Sequence, residues 1–242
     1  KHSVLFYHQS SSHNPRTLCA IQKIYKLMYF DRPMKFYLSS FKIGNDPNQL
    51  KSLLPDNPKA VYISNGLDFA KPESQKKHQD WDLRELNEIG ISAEPLDLRE
   101  YFGKQAELRS KLQNVDLIYV SGGNVYDLRI AMRLSGFDEI LIEYVGANKV
   151  YGGYSAAVCV LSPTLKGYHV VDDPNLKTYG DHETMWEGIG LIDWQFAPHF
   201  DSDHSESEDI NKEIAYCKEH GMKYKALRDG EVIILDEDGL SK

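Results

Sequence analysis

From residue 34 onward, short runs of β-branched, aromatic and aliphatic residues alternate with longer segments whose apolar positions recur at helical spacing. Runs 35–40, 60–64, 115–121 and 149–152 each read as a strand that ends in small or polar residues. Segments 72–89, 98–112 and 125–145, the last interrupted at Gly136, predict helices. Strands separated by helices imply right-handed crossovers, and so an α/β fold: a doubly wound, mostly parallel sheet with helices on both faces. In such sheets the working residues stand at the carboxyl ends of the strands. That rule singles out Ser64-Asn65-Gly66, Ser121-Gly122-Gly123-Asn124 and Gly152-Gly153-Tyr154-Ser155.

Beyond Ser155 the pattern changes. Residues 162–190 carry Pro163, Gly167, Pro174, Gly180, Gly188 and Gly190, too many breakers for a long helix, and predict loops or a hairpin. Segment 203–220, with Gly221 just past its end, predicts a helix. Runs 223–227 and 231–235 flank Arg228-Asp229-Gly230, a hairpin pattern.

Composition narrows the class. The chain has 242 residues, 41% hydrophobic and 26% charged, which excludes a disordered or collagen-like chain and suffices for a sizeable core. A net charge of −8 argues against nucleic acid as a partner. Three cysteines without a Cys-x-x-Cys pair point to a reducing compartment and away from structural zinc. Nowhere is there the run of roughly 18 apolar residues that a membrane helix needs. Residues 1–33 differ from the rest, holding five Lys or Arg against a single acid, Asp31. They read as a basic extension, appended or weakly ordered, with a targeting presequence or a membrane-surface helix as the alternatives, and the folded module at 34–242.

Gly152-Gly153-Tyr154-Ser155-Ala156-Ala157 is the most informative stretch. A strand that ends in Gly-x-Ser and runs into small residues suits a sharp strand-to-helix turn presenting the Ser155 hydroxyl, although the same residues also suit an ordinary turn. A nucleophilic serine needs a base, and the base an orienting acid. Phe196-Ala197-Pro198-His199-Phe200 offers His199, with His169, His182, His204 and His220 as rivals. His199, Asp201, Asp203 and His204 supply metal-ligand chemistry, but their spacing matches no established metal pattern. The paired glycines Gly122-Gly123 let backbone approach a phosphate or an oxyanion.

Gly122-Gly123-Asn124, Gly153-Tyr154-Ser155-Ala156, Ser162-Pro163-Thr164, Asp173-Pro174 and Pro198-His199-Phe200, in this order, resemble the peptidase E family of serine peptidases. That family includes α-aspartyl dipeptidase and, more distantly, cyanophycinase, on a fold similar to class I glutamine amidotransferases and flavodoxin-like sheets. The resemblance implies Ser155 as nucleophile, His199 as general base, and the N–H groups of Gly123 and Ala156 as oxyanion hole. It implies Asp229 as the triad acid, from the likeness of Arg228-Asp229-Gly230 to the family's late acidic turn; Glu231 and Asp172 are the alternatives. The family's arginine-bearing segment after the serine is replaced here by 166–170, where only Lys166 carries a charge to offer a substrate carboxylate; Asn124 is the other expected substrate contact.

The resulting expectation is a cytoplasmic serine exopeptidase, dipeptidase-like, acting on short peptides through an acyl-enzyme. It needs no metal or organic cofactor, meets neither nucleic acid nor membrane, and works as a monomer or homodimer. A cyanophycinase-like amide hydrolase and a non-catalytic binding module on the same fold are the alternatives.

Overall fold

The computed structural model describes residues 34–144 and 147–235. The proposed extension 1–33 lies outside the described residues. Strands β1 (Lys35–Ser39), β2 (Ala60–Ile63), β3 (Ala93–Pro95), β4 (Leu117–Val120), β5 (Val150–Tyr154) and β8 (Val232–Leu235) form one sheet in the order β3-β2-β4-β5-β1-β8. Every pairing in it is parallel except β1 with β8.

Side-chain alternation sends the two faces of these strands into two cores. Phe36, Leu38, Val61, Ile63, Ile118, Val120 and Tyr151 enter one; Tyr37, Ala60, Tyr62, Leu117, Tyr119 and Val150 enter the other. Helix α2 (Pro72–Glu88) covers the second face through Leu83 and Leu86. Helices α3 (Gln105–Leu112), α4 (Val125–Ser135) and α5 (Phe137–Glu143) cover the first. A short helix α1 (Asn48–Ser52) lies between β1 and β2 and buries Leu50. The doubly wound, mostly parallel α/β arrangement expected from the sequence is the one observed.

Local chemistry sets the boundaries. Pro72 starts α2 at a position where its missing N–H is not needed. Asn124 accepts from the N–H groups of Tyr126 and Asp127 and so caps α4, which ends where Gly136 turns left-handed at φ 72°. The expected helix over 98–112 divides into a 3-10 turn, Leu98–Tyr101, and α3, because the chain turns at Gly103 (φ 70°), whose N–H bonds Leu134 O instead.

One expectation fails. The runs around Arg228-Asp229-Gly230 are not a hairpin. Strand β7 (Tyr224–Ala226) pairs in parallel with β6 (Gln195–Ala197) in a separate small sheet, while β8 crosses to the antiparallel edge of the main one. The intervening turn is held by Glu231 N–H donating to Arg228 O and Arg228 N–H donating to Glu231 Oε2. Residues 162–190 are irregular, with a 3-10 turn at Tyr168–Val170 and an isolated antiparallel bridge between Thr164 and Glu187. Helix α7 (Ser207–Glu219) starts four residues later than the pattern suggested.

Candidate active site

Ser155 stands between the end of β5 and the short helix α6 (Ala156–Cys159), with φ 52° and ψ −117°. This backbone conformation is costly for a residue with a Cβ, and it appears where a strand turns sharply into a helix to present a side chain. The turn is crowded. A methyl on Gly153 would strike Val120 O, so glycine is required there; Ser155 N–H is tied to Ser39 O at 3.2 Å. Tyr154, just before it, donates to Asp82 Oδ2 at 2.8 Å, and Asp82 forms a buried ion pair with Lys42 at 2.7 Å.

The loop between β4 and α4 lies against this turn. A methyl added to Gly122 would fall 3.2 Å from Ser155 Cβ, and Gly123 adopts φ 136° against the backbone of Gly66. Among the described residues neither the Gly123 N–H nor the Ala156 N–H donates to a protein acceptor. Asn124 is fully engaged in the scaffold: its carbonyl caps α4 and its amide donates to Asp173 O at 3.1 Å. Lys166 is exposed on the loop after α6.

His199 is 2% exposed and has φ 58°. Its Nδ1–H donates to Asp229 Oδ1 at 2.6 Å, which leaves Nε2 as the free nitrogen. Asp229 is held in turn by the Ser40 hydroxyl at 3.2 Å, while its own N–H donates to Ser202 Oγ at 2.8 Å. The His204 ring stacks on His199 with centroids 3.7 Å apart and planes 7° from parallel, and Phe41 meets both imidazoles edge-on. Burial and the His204 charge push the His199 pKa down to about 4, so the imidazole is neutral near pH 7 and able to accept a proton. No hydrogen bond joins Ser155 Oγ to His199 among the described residues, and such bonds often tighten only around substrate.

The other histidines and acids lie elsewhere. His169 packs edge-on against Trp186 and Tyr216, His182 Nε2 meets Tyr179 O, and His220 stacks on Tyr216 at the end of α7. Glu231 is occupied with Arg228 N–H. Asp172 accepts from Val125 N–H at 2.7 Å, and burial raises its carboxyl to about 7. Ligand atoms of His199, His204 and Glu206 lie within 4.8 Å of one another, the one such metal-capable group among the described residues. Parallel stacked imidazoles direct their in-plane lone pairs side by side, so a common ion would require one ring to rotate.

The family model for peptidase family S51 matches residues 67–242. The chain belongs to that family. Among its S51-like relatives is an uncharacterised peptidase of Listeria monocytogenes, 30% identical over 118 residues, 48% of this chain and 55% of the relative. Peptidase E of Streptomyces coelicolor is 24% identical over 137 residues, 53% of this chain and 52% of that protein. The chain thus spans about half the length of these curated relatives. A crystal structure from L. monocytogenes EGD-e, provisionally named a peptidase E protein, superposes with TM-score 0.63 at 22% identity, covering 86% of this chain and 100% of that one. A peptidase from an acI-B1 Actinobacterium gives TM-score 0.63 at 14% identity, covering 87% and 86%. Among the described residues of this S51 chain, no helix is long and apolar enough to cross a membrane.

Sequence reasoning passed over the end of β1. Ser39 holds Ser155 N–H, Ser40 Oγ accepts from His199 N–H at 2.8 Å, and Phe41 packs on the imidazole pair. Two serines at the carboxyl end of a parallel strand were the available sign. Glu206 was also passed over; its Oε2 lies 3.9 Å from His199 Nε2.

Proposed function

We propose that the chain is a serine peptidase that cleaves short peptides as an exopeptidase. Ser155 attacks the scissile carbonyl while His199 Nε2 takes its proton, and Asp229 fixes the imidazole and offsets the charge it gains. The N–H groups of Gly123 and Ala156 receive the developing oxyanion. His199 then protonates the leaving amine, and water resolves the acyl-enzyme with His199 again as base. Lys166 is the proposed partner of a substrate carboxylate, and Asn124 contributes by fixing the start of α4 beside the glycine loop. No step calls for a metal or organic cofactor.

The observation that carries this reading is the His199–Asp229 pair at 2.6 Å, which is held by the same end of β1 that ties down the strained Ser155 turn. A fluorophosphonate probe is expected to label the wild type and to fail on Ser155→Ala. Equal labelling of the two proteins would remove the nucleophile assignment.

A further inference from the structure

The serine and histidine chemistry leaves Glu206 without a task, although its carboxylate stands beside His199. Oε2 is 3.9 Å from His199 Nε2, on the side of the ring opposite to Asp229. The Glu206 side chain is 43% exposed, whereas His199 is 2% exposed, so of the two groups the carboxylate is the one open to solvent. Its backbone N–H donates to His204 Nδ1 at 3.3 Å, and His204 is stacked on His199, which fixes the segment relative to the base. Of the acids nearby, Asp201 pairs with Arg228 and Asp209 with Lys212, whereas Asp203 and Glu208 form no ion pair with Lys or Arg among the described residues. Among the described residues no Lys or Arg forms an ion pair with Glu206.

Peptide geometry says what belongs beside such a carboxylate. The nitrogen of the residue that supplies the scissile carbonyl lies two bonds, about 2.5 Å, from the carbonyl carbon. In a reactive complex that carbon sits within about 3–3.5 Å of the serine oxygen, and the oxygen within hydrogen-bond reach of His199 Nε2. A substrate whose amino end lies on the Glu206 side of His199 Nε2 brings that nitrogen to the carboxylate. In the interior of a chain it is a neutral amide with one proton; at an amino terminus it is an ammonium with three donors and a full charge.

We infer that Glu206 binds the α-ammonium of the residue to be released, making this a site for substrates with a free amino terminus. The inference rests on the Ser155 and His199 reading above. Burial and nearby acids push the Glu206 carboxyl upward, a cost that a bound ammonium offsets. Glu206 thereby acts as a specificity residue that converts a general amide-cleaving arrangement into one that counts from the chain end.

The test compares hydrolysis of a dipeptide library with that of the same library N-acetylated. The wild type is expected to favour the free amines in kcat/KM by about ten- to a hundred-fold, the range for a hydrogen bond between charged groups. Glu206→Gln is expected to erase most of that ratio and Glu206→Asp to restore part of it. A ratio near one in the wild type, or a ratio that survives in Glu206→Gln, overturns the inference. So does an equal loss on both libraries, which would mean that the carboxylate acts on His199 instead. Should Glu206→Gln not fold, protection of the wild type decides: an amino acid amide must slow fluorophosphonate labelling more than its des-amino counterpart, and equal protection overturns the inference. Labelling of the wild type without amine preference sinks this proposal alone, whereas no labelling at all sinks the serine reading.

Discussion

His199 Nδ1 and Asp229 Oδ1 lie 2.6 Å apart although the two residues sit on different strand exits, one after β6 and one between β7 and β8. A carboxylate at that nitrogen selects the tautomer with the proton on Nδ1, so that Nε2 presents its lone pair. Asp229→Asn is expected to lower kcat by about three to four orders of magnitude with little change in KM, as in other triads that lose the tautomer-setting charge. Steady-state kinetics on a cleaved peptide would check it, and a loss under ten-fold would remove Asp229 from the triad.

The stacked His204 sets a different expectation. Burial and the His204 charge hold the His199 pKa at about 4, below the usual histidine range. The acid limb of kcat/KM should therefore fall near that value, with activity retained through pH 6. Replacing His204 with Gln removes the repulsive neighbour, so the His199 pKa rises and the limb moves to higher pH. A pH profile that is identical in both proteins would contradict the role given to the stack.

Glu213, on α7, has both carboxylate oxygens buried without a hydrogen-bond partner. Burial, with the charge of Asp172 adding to it, pushes its carboxyl well above the ordinary range, and burial raises Asp172 to about 7. Both groups bind protons more tightly when folded than when unfolded. Their favourable contribution is complete below the unfolded carboxylate range near pH 4 and is lost as pH rises through the folded values. Glu213→Gln should accordingly raise Tm relative to the wild type at pH 8 more than at pH 5. Thermal unfolding at the two pH values measures it, and a larger gain at pH 5 would reverse the sign.

A protein beginning at Met34 is expected to keep fluorophosphonate labelling at Ser155. Met34 is buried and Lys35 opens the β1 strand that pairs with β5 and β8. Loss of labelling on this truncation would show that residues 1–33 are part of the working unit.

The strands beside the site were legible because their apolar runs are short, continuous and buried on both faces, as 60–63 and 117–120 show. Strand β3 was not: Ala93–Pro95 is three residues long, contains Glu94 and Pro95, and lies on an exposed edge. Arg228-Asp229-Gly230 gave the correct turn and the wrong partner, since local pattern reports that a chain bends but not which sheet it joins next. Ser155 announces itself through the glycines around it. Ser40 offered only the general sign of a serine at a strand's carboxyl end and Glu206 none, because their importance lies in contacts with His199, and a single sequence carries no record of spatial proximity.

The hydroxyl of Ser40 accepts from His199 N–H and donates to Asp229, while Ser39 next to it holds the Ser155 turn. The small sheet leads into His199, the turn leaving it carries Asp229, and the main sheet leads into Ser155. Two adjacent serines thus serve as the alignment pin between the two sheets: a slip of one over the other would break the bonds that set Ser155, His199 and Asp229 relative to one another.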